Sequence, residues 1–258
     1  MRVAVMSETG ARDRNEDACG WWQGALTCCV LADGAGGHGG GDSAARLAVR
    51  TVLDDFVAAP EVRPGRIRAL LDLANRSVMR AQALVAAHAD MRTTLVVVAL
   101  DPASLAACWG HIGDSRLYCF RQGYVVFRTR DHSVVQSFAD AGIPVAGDSM
   151  RIHRSLLTGS IGSEDGYAPD VPASVAQLQP GDALLMCSDG LWDRLDDREL
   201  ERTLQVASSP ADWLASMRGL IEAEAVAGQD NYSAIAIWCG DLDFTTRAGA
   251  VGGDGTGP

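Results

Sequence analysis

The sequence contains no lysine: all 22 basic residues are arginine. A Schiff-base lysine and a lysine general base are therefore excluded. There is no excess of positive charge either. With 33 acids the formal net charge is -11, which argues against a broad nucleic-acid or anionic-membrane surface. No apolar run approaches the roughly 18 residues of a membrane span. The opening "MRVAVMSETGARDRNED" turns polar too early for a signal peptide, so a cytoplasmic protein is expected. Cysteine is present but unpatterned. The seven are odd in number, form no CxxC pair and lie mostly in apolar runs, as expected of free buried thiols rather than disulfides or a zinc site.

At 258 residues, 47% hydrophobic and 21% charged, the chain has the composition of a globular protein with a sizeable core. "RVAVMSE" and "GALTCCVLAD" read as strands bracketing "RDRNEDACG". Helical spacing runs over residues 42–59 and 65–88, broken by "AAPEVRPG". Short strands follow in "TTLVVVAL", "SLAACWGHIGD", "SRLYCFRQG" and "YVVFRTR", then a short helix in "SVVQSFADAG". "VPASVAQL" and "DALLMCSD" are expected strands, residues 197–207 and 210–227 expected helices, and "NYSAIAIWCG" the last strand.

Strands come in runs and helices in pairs, which argues for an α+β fold: a sandwich of two antiparallel β-sheets flanked on both sides by α-helices. No internal repeat or second linker is visible, so residues 1–242 are expected to form one catalytic domain. Residues 243–258 hold too few apolar side chains to pack and are expected to be disordered.

Acids recur where these strands end. Asp33 ends "CCVLAD" and enters a tract in which six of residues 34–41 are glycine. Asp114 stands in "GDSR", Asp189 ends "ALLMCSD", Asp230 stands in "QDNYS", and Glu16 and Asp17 close "RDRNED". One acid at a strand end is ordinarily a solvated turn residue. Several converging on one sheet edge repel unless cations sit among them. All-oxygen ligation favours Mg²⁺ or Mn²⁺ over zinc, and two such ions about 3.5–4 Å apart suit attack of water on phosphorus. The glycines let backbone approach such a centre.

In their order, "RDRNED", "ADGAGGHGGG", "GDSR", "SDGLWD" and "QDNYS" resemble the motifs of the metal-dependent type 2C (PPM) serine/threonine protein phosphatases, the bacterial single-domain members most of all. The resemblance spans residues 1 to about 240. It implies hydrolysis of phosphoserine and phosphothreonine on proteins by a hydroxide bridging two strongly bound Mn²⁺ or Mg²⁺ ions. Asp33 is then the bridging ligand and the Gly34 carbonyl lies on one ion. Asp189 and Asp230 complete the other ion's ligands, and Glu16 and Asp17 act partly through water. Asp114 with Asp189 holds a third, weaker ion, and Arg12 grips the substrate phosphate with its planar fork.

The expected partners are phosphoproteins and a cognate serine/threonine kinase, with no nucleic acid, no membrane and a monomeric state. Alternatives are a catalytically dead binding module on the same fold, a two-metal nuclease and a small-phosphomonoester hydrolase. Two positions depart from the family pattern. Ala35 stands where eukaryotic members often carry histidine, and His38, three residues on, does not inherit its role by position. Arg92 replaces glycine in "MRTTL", at the packing or the substrate rim. Residues 131–164 correspond to a variable flap, and His132 within them is expected to be structural.

Overall fold

The computed structural model describes residues 1–35, 40–84, 88–143, 156–224 and 227–240. In chain order these form β1 (Arg2–Glu8), β2 (Asp17–Gln23), β3 (Thr27–Ala35), α1 (Gly41–Ala58), α2 (Pro64–Leu84), β4 (Arg92–Thr93), β5 (Leu95–Leu100) and β6 (Ala106–Ile112). Then come β7 (Arg116–Arg121), β8 (Tyr124–Arg128), α3 (Val134–Asp140), β9 (Ala176–Gln177), β10 (Ala183–Cys187), α4 (Asp189–Trp192), α5 (Asp197–Val206), α6 (Pro210–Glu224) and β11 (Tyr232–Trp238). One sheet runs β1-β11-β10-β7-β8 and the other β2-β3-β5-β6-β9, with β4 on the end of β3. The strand pairings are antiparallel throughout.

The two sheets pack face to face, and helices cover both outer faces. Central strands are thus buried on two sides, which is why β3 and β5 read as continuous apolar runs rather than alternating ones. The strand period of two sorts their side chains. In β3, Cys28, Val30 and Ala32 pack under α1 and α2, against Ala48, Val52, Ile67 and Leu71. Cys29 and Leu31 face the opposite sheet, meeting Leu184, Met186, Ile235 and Ile237. On the far side, Trp213 and Met217 of α6 and Leu200 and Leu204 of α5 pack on the other sheet.

The helices start where their sequences dictate. α5 has a full capping box, Asp196 accepting from the Glu199 amide while the Glu199 carboxylate accepts from the Asp196 amide. α6 opens on Pro210, whose missing N–H costs nothing in the first turn.

The expected architecture is the observed one, with local differences. β2 lies within and beyond the "RDRNEDACG" stretch that was expected to separate two strands. "VPASVAQL" contributes only Ala176–Gln177 as strand. The turn α4, entered from Cys187 through Ser188, is an element that the sequence did not indicate. The seven cysteines are unpaired, six of them buried. Among the described residues no helix is long and apolar enough to cross a membrane. His38, the expected disordered tail and the central part of the expected flap lie outside the described residues.

Candidate metal centre

At one end of the sandwich the face between the sheets turns from apolar to acidic without any strand changing direction. Two residues beyond Leu31, on the same face of β3, stands Asp33. Two residues before Cys19 on β2 stands Asp17, directly across from Asp33 in the register. The other sheet follows the same rule. Met186 gives way to Ser188, and Ile235 to Ser233 and then Asn231. Asp114 lies in the turn that carries the chain from β6 in one sheet to β7 in the other.

Hydrogen bonds hold these positions. The Asp33 amide donates to Thr94 Oγ1 at 2.9 Å, and its carbonyl accepts from the Thr94 amide and from Thr93 Oγ1, both at 2.8 Å. Thr94 Oγ1 also lies 2.7 Å from Ser115 Oγ, tying β3 to the turn after Asp114. Ser188 donates to Asp17 Oδ2 at 2.8 Å and accepts from the Ser233 amide.

Asn231 knots the loop between β1 and β2. It accepts from the Glu16 amide through Oδ1 and donates through Nδ2 to the carbonyls of Thr9 and Arg14. Gly34 is required by close approach: a Cβ there comes within 2.4 Å of Gly41 backbone and 2.7 Å of the Glu16 carbonyl. Part of the glycine tract therefore serves backbone packing.

Arg12, Glu16, Asp33, Gly34, Asp114, Asp189 and Asp230 all line one open cleft of about 560 Å³. Asp17 does not. It is buried behind the cleft wall, and its Oδ1 has no hydrogen-bond partner among the described residues. Asp33 is partly covered, its open side on the cleft. Desolvation, then the charges of Asp17, Asp189 and Asp114, raise its pKa well above the ordinary carboxylate range. Desolvation leads for Asp17 and Asp114 too, with Asp189 acting on both in the same direction. Glu16 is raised by burial and then by Asp42.

Two arginines from the same motifs are engaged here, one beside the acids and one with an acid of the rim. Arg116 clamps Asp131 with Nε and Nη2 at 2.8 and 2.7 Å and stacks 3.5 Å over the Trp192 ring. Arg12 Nη2 donates to Asp230 Oδ2 at 2.7 Å on the exposed rim. The orphaned oxygen of Asp17 and the mutually raised acids around it fit cations with oxygen ligands.

Sequence reasoning named the acids but missed Asn231, Thr94, Ser188, Arg116 and Trp192. Each sits inside or beside a quoted motif, so proximity to an acid was the available signal. Arg14 is exposed and also lines the cleft.

A sandwich of this topology with acids at one end is the architecture of a phosphatase family. The family model "Protein phosphatase 2C" matches residues 7–227, and the chain belongs to that family. It is 31% identical over 271 aligned residues to the serine/threonine protein phosphatase PstP of Mycobacterium tuberculosis, covering 98% of this chain and 49% of PstP. The chain thus spans about half the length of that curated relative. Among solved structures it is similar to the S. agalactiae serine/threonine phosphatase, with TM-score 0.80 and 26% identity over 92% of this chain and 98% of the other. It is also similar to the catalytic domain of PstP in complex with two manganese ions, with TM-score 0.75 and 26% identity over 91% and 96%.

Proposed function

We propose that this chain removes phosphate from serine and threonine side chains of proteins with the help of Mn²⁺ or Mg²⁺. The observation that carries the reading is the set of crowded acids from both sheets, Asp33 and Asp114 among them pushed up by burial and by their neighbours' charges, lining a cleft that has an arginine on its rim. Asp33, the Gly34 carbonyl, Asp189 and Asp230 are the groups that would hold two ions, with Glu16 and Asp17 acting partly through water. Asp114 and Asp189 would hold a third, weaker one. Bound there, such ions supply positive charge against the phosphoryl oxygens and lower the pKa of water at the reacting phosphorus.

The chain's own residues do the rest. Arg12 binds the phosphate, its planar fork taking two oxygens in place of the Asp230 contact it makes in this structure. Ser188 and Asn231 fix the acids and the Arg12 loop before substrate arrives, so little reorganisation remains to be done during reaction. Ala35 leaves the position after Gly34 without a titratable group. Leu157, on the cleft wall, presents an apolar surface to a peptide. By the family resemblance its substrates come from a serine/threonine kinase, and the reading keeps the cytoplasmic, monomeric state expected from the sequence.

The test is Mn²⁺-dependent phosphate release from a phosphothreonine peptide, a sugar phosphate and single-stranded DNA. Release from the peptide at a kcat/KM well above the others is expected. Preference for the sugar phosphate or the DNA, or no release from any of them, overturns the reading.

A further inference from the structure

Asp114 carries its carboxylate on a turn rather than on a strand, so something other than a ladder must hold it. Gly113, before it, has φ +102° and is buried, and both of its polar backbone atoms go to one residue. His132 donates its backbone N–H to the Gly113 carbonyl at 2.9 Å. Its ring Nδ1 lies 3.3 Å from the Gly113 nitrogen, where it can only accept. That acceptance leaves the proton of the neutral imidazole on Nε2, which faces Asp170 Oδ2 at 3.2 Å.

The ring is held from the side by stacking on His111, with centroids 4.7 Å apart. His111 is fixed in turn by the Arg130 carbonyl 2.8 Å from its Nε2. On the other side of Asp114, Trp192 Nε1 donates to the Asp114 carbonyl at 3.0 Å. His132 also accepts the Thr158 amide through its carbonyl at 2.9 Å, one residue from Leu157 on the cleft wall.

We propose that His132, oriented by Asp170, is a positioning residue for Asp114 and couples the cleft wall at Leu157 to it. The inference rests on the phosphatase reading of the centre. His111, His132 and Asp170 do place one possible ligand atom each within 4.8 Å of one another. A cation there needs the Nε2 lone pair of His132, whereas the Gly113 N–H leaves a proton on that nitrogen. The cluster is therefore assigned as a hydrogen-bond relay.

Two substitutions separate the roles, because asparagine places an acceptor where Nδ1 lies and glutamine places a donor near Nε2. His132→Asn is expected to keep kcat on a phosphothreonine peptide within about twofold. His132→Gln and His132→Ala are expected to lose about tenfold, with KM little changed, as outer partners of metal ligands commonly do. The Gly113 amide should exchange hydrogen faster in the Gln and Ala variants than in the Asn variant. Imidazole ¹⁵N shifts of the wild type should show His132 protonated on Nε2.

Glutamine performing as well as asparagine, asparagine failing as badly as alanine, or a wild-type Nδ1–H tautomer overturns the proposal. So does Zn²⁺ uptake that His111→Ala abolishes. A wild type that releases no phosphate defeats the phosphatase reading instead, and the amide and tautomer measurements still decide whether His132 holds Gly113.

Discussion

Leu31 and Asp33 stand on the same face of the same strand, two residues apart, and belong to different chemistries. Leu31 is fully buried against Met186 and Ile235 in the gap between the sheets. Asp33 meets Asp17, Asp189 and Asp114 where that gap opens on the cleft. Nothing in the backbone changes between them. The apolar end gains stability from area removed from water, whereas the acidic end loses some by crowding like charges. A scaffold this regular can hold such a cluster because the strain is local and the adjoining core is large. Asp17 and Asp33 are also placed by strand register, which is stiffer than a loop.

The largest expected effect breaks this comparison at its acidic end. Asp33→Asn should lower kcat by about a thousandfold, near 4 kcal/mol of transition-state stabilisation. The cation-free protein should melt no lower than wild type, because one repelling charge is gone. Near-normal turnover in the purified variant would remove Asp33 from the centre.

Arg12→Ala is expected next, with kcat/KM on a phosphothreonine peptide reduced about 100-fold through loss of a two-pronged phosphate contact. Its ion pair with Asp230 is exposed, and such pairs contribute about 0.2–1 kcal/mol. Calorimetric Mn²⁺ affinity should therefore rise by no more than about fivefold. A loss of Mn²⁺ binding with unchanged kinetics would place Arg12 in the metal centre rather than on the phosphate.

Leu31→Ala inverts the first variant. It should destabilise the fold by about 2–5 kcal/mol in urea unfolding while the molecules still folded keep their kcat. Equal stability losses in Leu31→Ala and Asp33→Asn would mean that the two ends are not different in kind.

The smallest effect is in pH. Burial foremost, with help from Asp189, raises Asp17 to about 6 and Asp114 to about 7, against 3.8 for an ordinary aspartate. Between these values the folded chain binds more protons than the unfolded one, so stability without cations falls as pH rises through that window. In EDTA the Tm should be at least about 3 °C lower at pH 8 than at pH 5, and saturating Mn²⁺ should abolish the deficit. A Tm in EDTA that rises over the same interval would show that the acids are already compensated.

Much of this was legible beforehand, for reasons visible in particular residues. Asp33 and Asp189 close apolar runs that read as strands, and the five ordered motifs named the acids together; in the structure β3 runs on to Ala35 and β10 stops at Cys187. β2 was not legible. "DACGWWQ" carries an acid and a glycine among its first four residues, and only pairing with β3 makes it a strand. Asn231 and Ser188 escaped for another reason. Their roles lie in hydrogen bonds to backbone far away in sequence, such as Asn231 to the Thr9 carbonyl. No periodicity encodes those.

The division of the proposed ligand groups between the sheets has a thermodynamic consequence. Asp17 and Asp33 belong to one sheet, while Asp189 and Asp230 flank strands of the other. A cation held by both groups joins layers that otherwise cohere through a dry apolar interface, and it does so only in the native state. By mass action, an ion at a hundredfold excess over its Kd adds about 2.7 kcal/mol against unfolding. On the proposed assignment, supply of the ion would govern how long the chain survives heat and proteolysis, alongside how fast it turns over.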